Sequence, residues 1–327
     1  MKRREFIRLV GGAAVAWLLR AHAQPSALPV IGFLSSRSPD EAKQSAASFR
    51  SGLRTNGYAD GQNVVIEYRW AEGEYSRLPE LAADLVQRGV AVLAATGGEP
   101  SALAAKAATS TIPIVFTIGG DPVKVGLVGS LNRPGGNVTG VSLLTSLAEA
   151  KRLGLLNEVI PDAGVFGVLI NPNYQQAEAQ SREVQEAARA IGRPIQIVNV
   201  GNNQELEVAF ATFAQRNTAA LLVTADPFFT TNRNRIVALA AQLGLPAIYE
   251  FREYVDIGGL MSYGISLKEG YYQAGVYTGR ILKGANPADL PVEQSTKFEF
   301  VINLRTAKTL GLRFSDNVLS LADEVIE

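Results

Sequence analysis

The sequence predicts an α/β protein built from two doubly wound parallel-sheet lobes joined by a multi-strand hinge. Three observations lead there. Short runs rich in Val and Ile alternate with helix-length amphipathic stretches from residue 29 onward. The same alternation restarts near residue 145. The chain, at 327 residues, is long for one hydrophobic core and comfortable for two of about 150 residues each.

Strands are expected in the first half at 29–34, 63–70, 90–96, 113–117 and 137–141. Helices are expected at 40–55, 76–88, 100–109 and 124–131. In the second of these helices Leu78, Leu81, Ala82, Leu85 and Val86 form an i, i+3, i+4, i+7, i+8 apolar face. Pro100 suits the first turn of the third. In the second half, strands are expected at 165–170, 194–200, 219–223, 246–249 and 259–263, and helices at 147–159, 175–191, 205–215 and 233–243. Pro113, Pro194 and Pro246 each follow a helix they cannot continue and precede a strand. Such strand–helix alternation requires a parallel sheet covered on both faces.

Two segments read as crossings between lobes. One is 133–141, with a tight Pro134-Gly135-Gly136 turn. The other is 258–264, followed by an amphipathic helix at 267–282 that returns to the first lobe. A third crossing is expected near 290–296. The division is then 29–141 plus about 265–290 for one lobe, and 142–264 plus about 291–327 for the other. Several thin connections between two lobes make a hinge.

The first 23 residues read as an export signal: a basic start with Arg3-Arg4, a short apolar run from Gly11 to Leu19, and a small-x-small site ending at Ala23. The Arg-Arg-x-Phe core resembles a twin-arginine signal. Removing it takes away five basic residues and Glu5. That leaves 26 basic and 30 acidic residues, a net charge of −4. An acidic body lacks the clustered cations that phosphate backbones require, so nucleic acid is not an expected partner. No later stretch is long and apolar enough for stable membrane insertion. Cysteine is absent and the single histidine, His22, lies in the signal. Thiol nucleophiles, disulfides, Cys/His metal sites and histidine triads are therefore excluded from the mature chain, and no cofactor or metal is expected.

In open α/β sheets ligands bind beyond the carboxyl ends of the strands. That rule selects Ser35-Ser36-Arg37, Trp70-Ala71-Glu72, Thr96 to Glu99 and Gly119-Gly120-Asp121 in the first lobe. In the second it selects Asn171-Pro172-Asn173-Tyr174, Gly201-Asn202, Asp226 to Phe229, Glu250-Phe251-Arg252 and Ser262-Tyr263. Hydroxyls, helix N-termini and glycine-exposed N–H groups suit a carboxylate. Asp121, Asp226 and Glu250 suit an ammonium or hydroxyl donors, and Trp70, Phe228, Phe251 and Tyr263 suit an aromatic body. The candidate ligand-binding set is Ser35, Ser36, Trp70, Thr96, Gly97, Gly98, Glu99, Ser101, Gly120, Asp121, Asn171, Asn173, Asp226, Phe228, Glu250, Phe251 and Tyr263. Asp and Asn at such places also cap helices and start turns. Neither Gly pair completes a phosphate-loop motif, and each is followed by an acidic residue.

Ile-Gly-Phe-Leu-Ser at 31–35, Ile-Pro-Ile-Val-Phe at 112–116, Gly-Gly-Asp-Pro-Val at 119–123, Pro-Gly-Gly-Asn-Val-Thr-Gly-Val at 134–141 and Val-Ile-Asn-Leu-Arg-Thr-Ala-Lys at 301–308 resemble the ABC-transporter substrate-binding family that includes tryptophan- and tyrosine-type binding proteins. The resemblance implies a type I periplasmic binding fold. It implies a periplasmic, monomeric receptor that captures a small solute between its lobes and delivers it to an ABC permease in the inner membrane. By position, the cleft would use Ser35, Ser36, the Thr96–Ser101 turn and Asp121, with Asn171, Asp226 and Tyr263 from the second lobe. An α-amino acid would place its ammonium at Asp121 or Asp226 and its carboxylate near Ser35 or Ser101. One departure stands out: Gly97-Gly98-Glu99-Pro100-Ser101 replaces the Gly-Thr-Pro-Ala typical of amino-acid-binding members. Glu99 adds a negative charge beside the expected carboxylate position, which leaves other aromatic or amide-like solutes open.

Two function classes follow. One is a solute-binding protein without chemistry. The other is a secreted hydrolase using Asp121 and Asp226 as a carboxylate pair across the cleft. The absence of a Gly-x-Ser-x-Gly nucleophile elbow favours the first.

Overall fold

Val30–Ser35 (β1) is buried along almost its whole length, as a central strand of a parallel sheet must be. The computed structural model describes residues 28–145, 148–161, 164–295 and 297–327. The export signal expected at 1–23 and its cleavage after Ala23 lie outside the described residues, as do the first residue of the helix expected at 147–159 and Thr296 at the end of the third crossing.

The first sheet continues through Val65–Trp70 (β2), Val92–Thr96 (β3), Ile114–Ile118 (β4) and Val138–Ser142 (β5). Lys43–Thr55 (α1), Leu78–Gln87 (α2) and Glu99–Ala108 (α3) connect them. Pro79 and Pro100 stand in the opening turns of α2 and α3, where a missing N–H costs nothing. The second half opens with Glu149–Val159 (α4), then Phe166–Ile170 (β6), Ala177–Ala190 (α5), Ile195–Asn199 (β7), Asn203–Gln215 (α6) and Ala220–Val223 (β8). Pro227–Thr231 (α7), Arg233–Gln242 (α8), Ala247–Tyr249 (β9), Arg252–Asp256 (α9) and Met261–Ile265 (β10) follow. The chain then runs through Leu267–Leu282 (α10), Glu293–Gln294 (β11), Phe298–Asn303 (β12), Leu304–Thr309 (α11), Asp316–Ser320 (α12) and Glu324–Ile326 (β13).

The strands form two sheets, β11-β5-β4-β3-β1-β2 and β13-β12-β10-β9-β8-β6-β7. Every pairing is parallel except β10 with β12, where Met261 to Ile265 run against Ile302 to Phe298. The chain passes from one sheet to the other after β5, after β10 and after β11. The two short helices α7 and α9 and the elements after β11 have no counterpart among the expected elements. Residues 124–131, expected as a helix, form turns. Gly126 sits at φ +74 there, and the Asp121 carboxylate takes the N–H groups of Val123 and Lys124 at 2.9 and 3.2 Å. That is an Asx-type turn, followed by a left-handed residue that ends any helical path.

Helix α10 returns to the first sheet and lies against α1. Small residues set the distance between them. A Cβ at Gly52 would overlap the carbonyl oxygen of Tyr272, and one at Gly275 would overlap that of Phe49. Phe49, Leu53, Tyr271, Ala274 and Ile281 fill the space around this contact in one buried cluster. Replacing Gly275 with Ala must push two backbones apart, since carbonyl groups cannot yield like a flexible side chain. The expected outcome is a loss of about 1–3 kcal/mol, measured as a lower midpoint of thermal unfolding, whereas Gly154→Ala, which meets nothing within contact distance, should not lower it.

Candidate functional site

The carboxyl ends of both sheets face one another, and a cavity lies between them. Its wall draws on nearly every strand end: Arg37 after β1, Gly97 to Glu99 after β3, Thr117 to Gly119 at the end of β4, and Leu143 and Thr145 after β5. From the second sheet come Tyr174 after β6, Ala225 to Pro227 after β8, and Glu250 with Phe251 after β9; the returning helix adds Leu267 and Tyr271. This is the crevice the strand-end rule locates.

Six of the expected residues line it: Gly97, Gly98, Glu99, Asp226, Glu250 and Phe251. Gly97 and Gly98 adopt φ +84 and +104, conformations that bring backbone to the cavity where a side chain would strain. Ser35, Ser36, Thr96, Ser101, Gly120 and Asn171 are buried behind the wall. Ser36 Oγ donates to the Gly97 carbonyl and so holds that loop. Asn171 donates from Nδ2 to Asp226 at 3.1 Å. Asn173 and Phe228 border a separate hollow with Tyr75, Glu72 and Asn202, outside the enclosed space.

Three expected residues face elsewhere. Asp121 is held by its own turn, which removes it both as an ammonium site and as half of a carboxylate pair with Asp226. The ring of Trp70 stacks on Tyr68, with centroids 5.7 Å apart, and packs on Phe33, covering the edge of the first sheet. Tyr263 stacks on Phe298 at 5.2 Å; strand pairing with β12 turns its side chain to the far face of the second sheet, and only its carbonyl serves the hinge.

The lobes bond directly around the cavity. Glu99, at the start of α3, accepts hydrogen bonds from Gly120 N, Tyr174 Oη and Gln176 Nε2, each at 2.6 Å. Asp226 caps α7 through the N–H groups of Phe228 and Phe229 and accepts the Tyr75 hydroxyl of the first lobe at 2.9 Å. At the opposite rim Arg233 pairs with Glu41, and Asn234 donates to the same carboxylate at 2.8 Å. Burial raises the Glu99 carboxyl, opposed by its three donors. Burial pushes Asp226 up to about 6 against the hydrogen bonds of Asn171 and Tyr75, and Glu250 up to about 8 against the charges of Arg152 and Arg37 and the Thr230 hydroxyl. Tyr75 and Tyr174 are held well above the usual phenol range by burial and by the carboxylates they face, so both remain donors.

Beneath the cavity lies a fully buried ion pair. Arg152 Nη1 meets Glu149 Oε2 at 2.6 Å. The same guanidinium donates to the carbonyls of Thr145 and Tyr263, beside the first two crossings. Glu149 in turn accepts from Ala225 N at 2.8 Å and from Gln180.

Sequence reasoning missed Tyr75, Gln176, Thr117, Thr145, Tyr271, Glu149 and Arg152. Arg37 and Tyr174 stood in the strand-end stretches without being chosen. Arg37 carried a signal: it is the one cation in the stretch after β1. Its Nε, the Thr117 hydroxyl and the Tyr271 hydroxyl are buried with no hydrogen-bond partner, and all three residues line the cavity.

Two lobes whose strand ends meet at a polar cavity have the architecture of a solute receptor. The chain belongs to the ABC transporter substrate binding protein family, whose model matches residues 28–326. It is a non-enzymatic solute-binding protein of an ABC transporter, extracytoplasmic in placement. It is 29% identical to a tyrosine-binding protein of Clostridioides difficile over 281 residues, 85% of this chain and 79% of that one. It superposes with TM-score 0.81 on an ABC domain in complex with L-Trp from Streptococcus pneumonia, at 26% identity, covering 92% of this chain and all of that one. A ligand-free, open substrate-binding protein with adhesive properties from Clostridium difficile, at 25% identity and over 92% and 99% of the two chains, gives 0.63. Hydrogen bonds between the lobes hold the carboxyl ends of the two sheets against one another. Among the described residues no helix is long and apolar enough to cross a membrane, and no group of three or more His, Cys, Asp or Glu side chains is placed to hold a metal.

Breaking the buried pair tests its role. Arg152→Met leaves Glu149 charged and buried, with an expected loss of about 3–5 kcal/mol in urea unfolding. Adding Glu149→Gln should recover part of it. At the cleft, Tyr75→Phe removes one cross-lobe donor and should raise the radius of gyration of the unliganded protein in small-angle scattering.

Proposed function

We propose that this chain is the periplasmic receptor of an importer for an aromatic α-amino acid. The observation that carries the reading is the set of unpartnered donors in the cavity. Arg37 is 5% exposed, and its guanidinium lies 5.9 Å from the Phe251 ring centroid and 5.8 Å from that of Tyr271. A buried cation without a hydrogen-bonded anion is costly; a solute carboxylate completes it, with the Thr117 and Tyr271 hydroxyls as further donors. The carboxylate position thereby moves from Ser35 and Ser101 to Arg37. The acidic wall across the cavity suits an ammonium. Phe251, Tyr271, Leu143 and Leu267 offer an apolar and aromatic surface. The relatives named for tyrosine and complexed with L-Trp support that type of solute. Glu99 does not oppose a carboxylate, because its oxygens are turned to Tyr174, Gln176 and the Gly120 N–H.

In this reading the N-terminal 23 residues direct export and are removed after Ala23. The mature chain is a monomer that hinges between 29–141 with about 265–290 and 142–264 with about 291–327. Solute bridges the two sets of strand ends and shifts the population toward the closed form, and the closed face docks on the permease.

A thermal-shift series with L-tyrosine, L-tryptophan, L-leucine, glucose and adenosine tests this. An aromatic amino acid at 100 times its dissociation constant should add about 2.7 kcal/mol of stability, with no shift from the sugar or nucleoside. Arg37→Met, which keeps the aliphatic stem, should weaken binding by about tenfold or more, the range for a lost charge-assisted hydrogen bond. A shift from the sugar alone would refute the reading.

A further inference from the structure

Three carboxyl groups face the enclosed cavity, and two of them are already occupied. Glu99 accepts three hydrogen bonds at 2.6 Å. Asp226 accepts from Tyr75, Asn171 and two backbone N–H groups. A further ammonium at either would have to displace a donor that closes the lobes or caps α7. Glu250 differs. It follows β9, is buried, lines the cavity, and takes one side-chain hydrogen bond, from the Thr230 hydroxyl at 2.6 Å. Resting on the amino-acid reading above, we propose that Glu250 is the residue that receives the solute's ammonium group.

The charges around Glu250 come from every neighbouring element. Arg37 approaches from the segment after β1. Arg152 and Glu149 belong to α4, Thr230 to α7 and Tyr254 to α9. The two guanidinium groups favour the ionised carboxylate and Glu149 opposes it. Burial outweighs them and pushes the Glu250 carboxyl up to about 8. The exchange balances simply. The solute arrives as an ammonium and keeps its protons, the carboxyl proton of Glu250 passes to the solvent, and an ion pair replaces a neutral acid. At pH 7, one unit below the midpoint, about 0.9 proton is released per solute bound. Affinity therefore rises with pH, approaching tenfold per unit between about pH 6 and 7, and levels off above 8. Asp226, with its midpoint near 6, contributes only at the acidic end of that window.

Calorimetry of the mature chain with L-tyrosine and L-tryptophan at pH 7, in phosphate and in Tris, reads the proton directly as the dependence of binding heat on buffer ionisation heat. The expected result is release of close to one proton and a dissociation constant that falls from pH 6 to pH 8. Glu250→Gln should abolish the release and flatten the pH profile, with affinity at pH 8 reduced at least tenfold. A ligand lacking only the amine, 3-(4-hydroxyphenyl)propanoate, should bind without releasing a proton from Glu250. Amino-acid binding with no proton release, or an unchanged pH profile in Glu250→Gln, overturns the Glu250 assignment and leaves the amino-acid reading standing. Failure of both amino acids to bind overturns the two together. The wild-type calorimetry decides the question even if Glu250→Gln does not fold.

Discussion

The arrangement of the lobes depends on the buried pair between Glu149 and Arg152. Two charges removed from water are stable only if every polar atom finds a partner. The partners found here are structural: the carbonyls of Thr145 and Tyr263 for Arg152, the N–H of Ala225 and the Gln180 amide for Glu149. Thr145 leaves the first sheet, Tyr263 belongs to the strand that leads back to it, and Ala225 immediately precedes Asp226 in the cavity wall. One ion pair therefore fixes the register between two hinge connections and the strand end that faces the solute. The demand for complete hydrogen bonding makes that register specific in a way that apolar packing alone would not.

Closure itself relies on a different pairing of chemistry. Tyr75 of the first lobe donates to Asp226 of the second, and Tyr174 and Gln176 of the second donate to Glu99 of the first. Burial raises both the phenols and the carboxyls, so the phenols never compete for negative charge and the donor–acceptor sense is fixed. These contacts are local and few, as a receptor that must reopen requires. They also leave Arg37, Thr117, Tyr271 and Glu250 as cavity groups whose hydrogen-bonding capacity is not consumed by the lobes.

Much of this was legible in the sequence, for identifiable reasons. The alternation of Val/Ile runs with amphipathic helices marked β1 to β10, because both faces of a parallel sheet must be buried. The strand-end rule reached Gly97, Gly98, Glu99, Asp226, Glu250 and Phe251, because it is a rule about topology. It could not separate Asp121 from Asp226: both precede a proline and both cap a turn, and only the closing lobe supplies Tyr75 to one of them. Tyr271 was invisible to the rule since it sits on a helix arriving from the other lobe. The Glu149–Arg152 spacing reads as an ordinary exposed i, i+3 pair; nothing in the spacing reports that both residues are fully buried. The turn at 124–131 was misread because its apolar residues fit a helical period, while Gly126 and the Asp121 side chain decide the backbone.

The glycine contact between α1 and α10 has a consequence for how the molecule comes into being. Domains generally fold as units, N-terminal first, as the chain emerges. Here the first sheet gains the helix that completes its cover only from residues 267–282 and its edge strand only from 293–294. The segment up to residue 142 thus holds five strands with one face covered only by α1, and five of the second sheet's seven strands precede the helix that completes the cover. The two lobes are separate bodies in the finished receptor but not separate folding units. A cut between them would yield no independent half, and the chain must be held from aggregating until its last quarter is available.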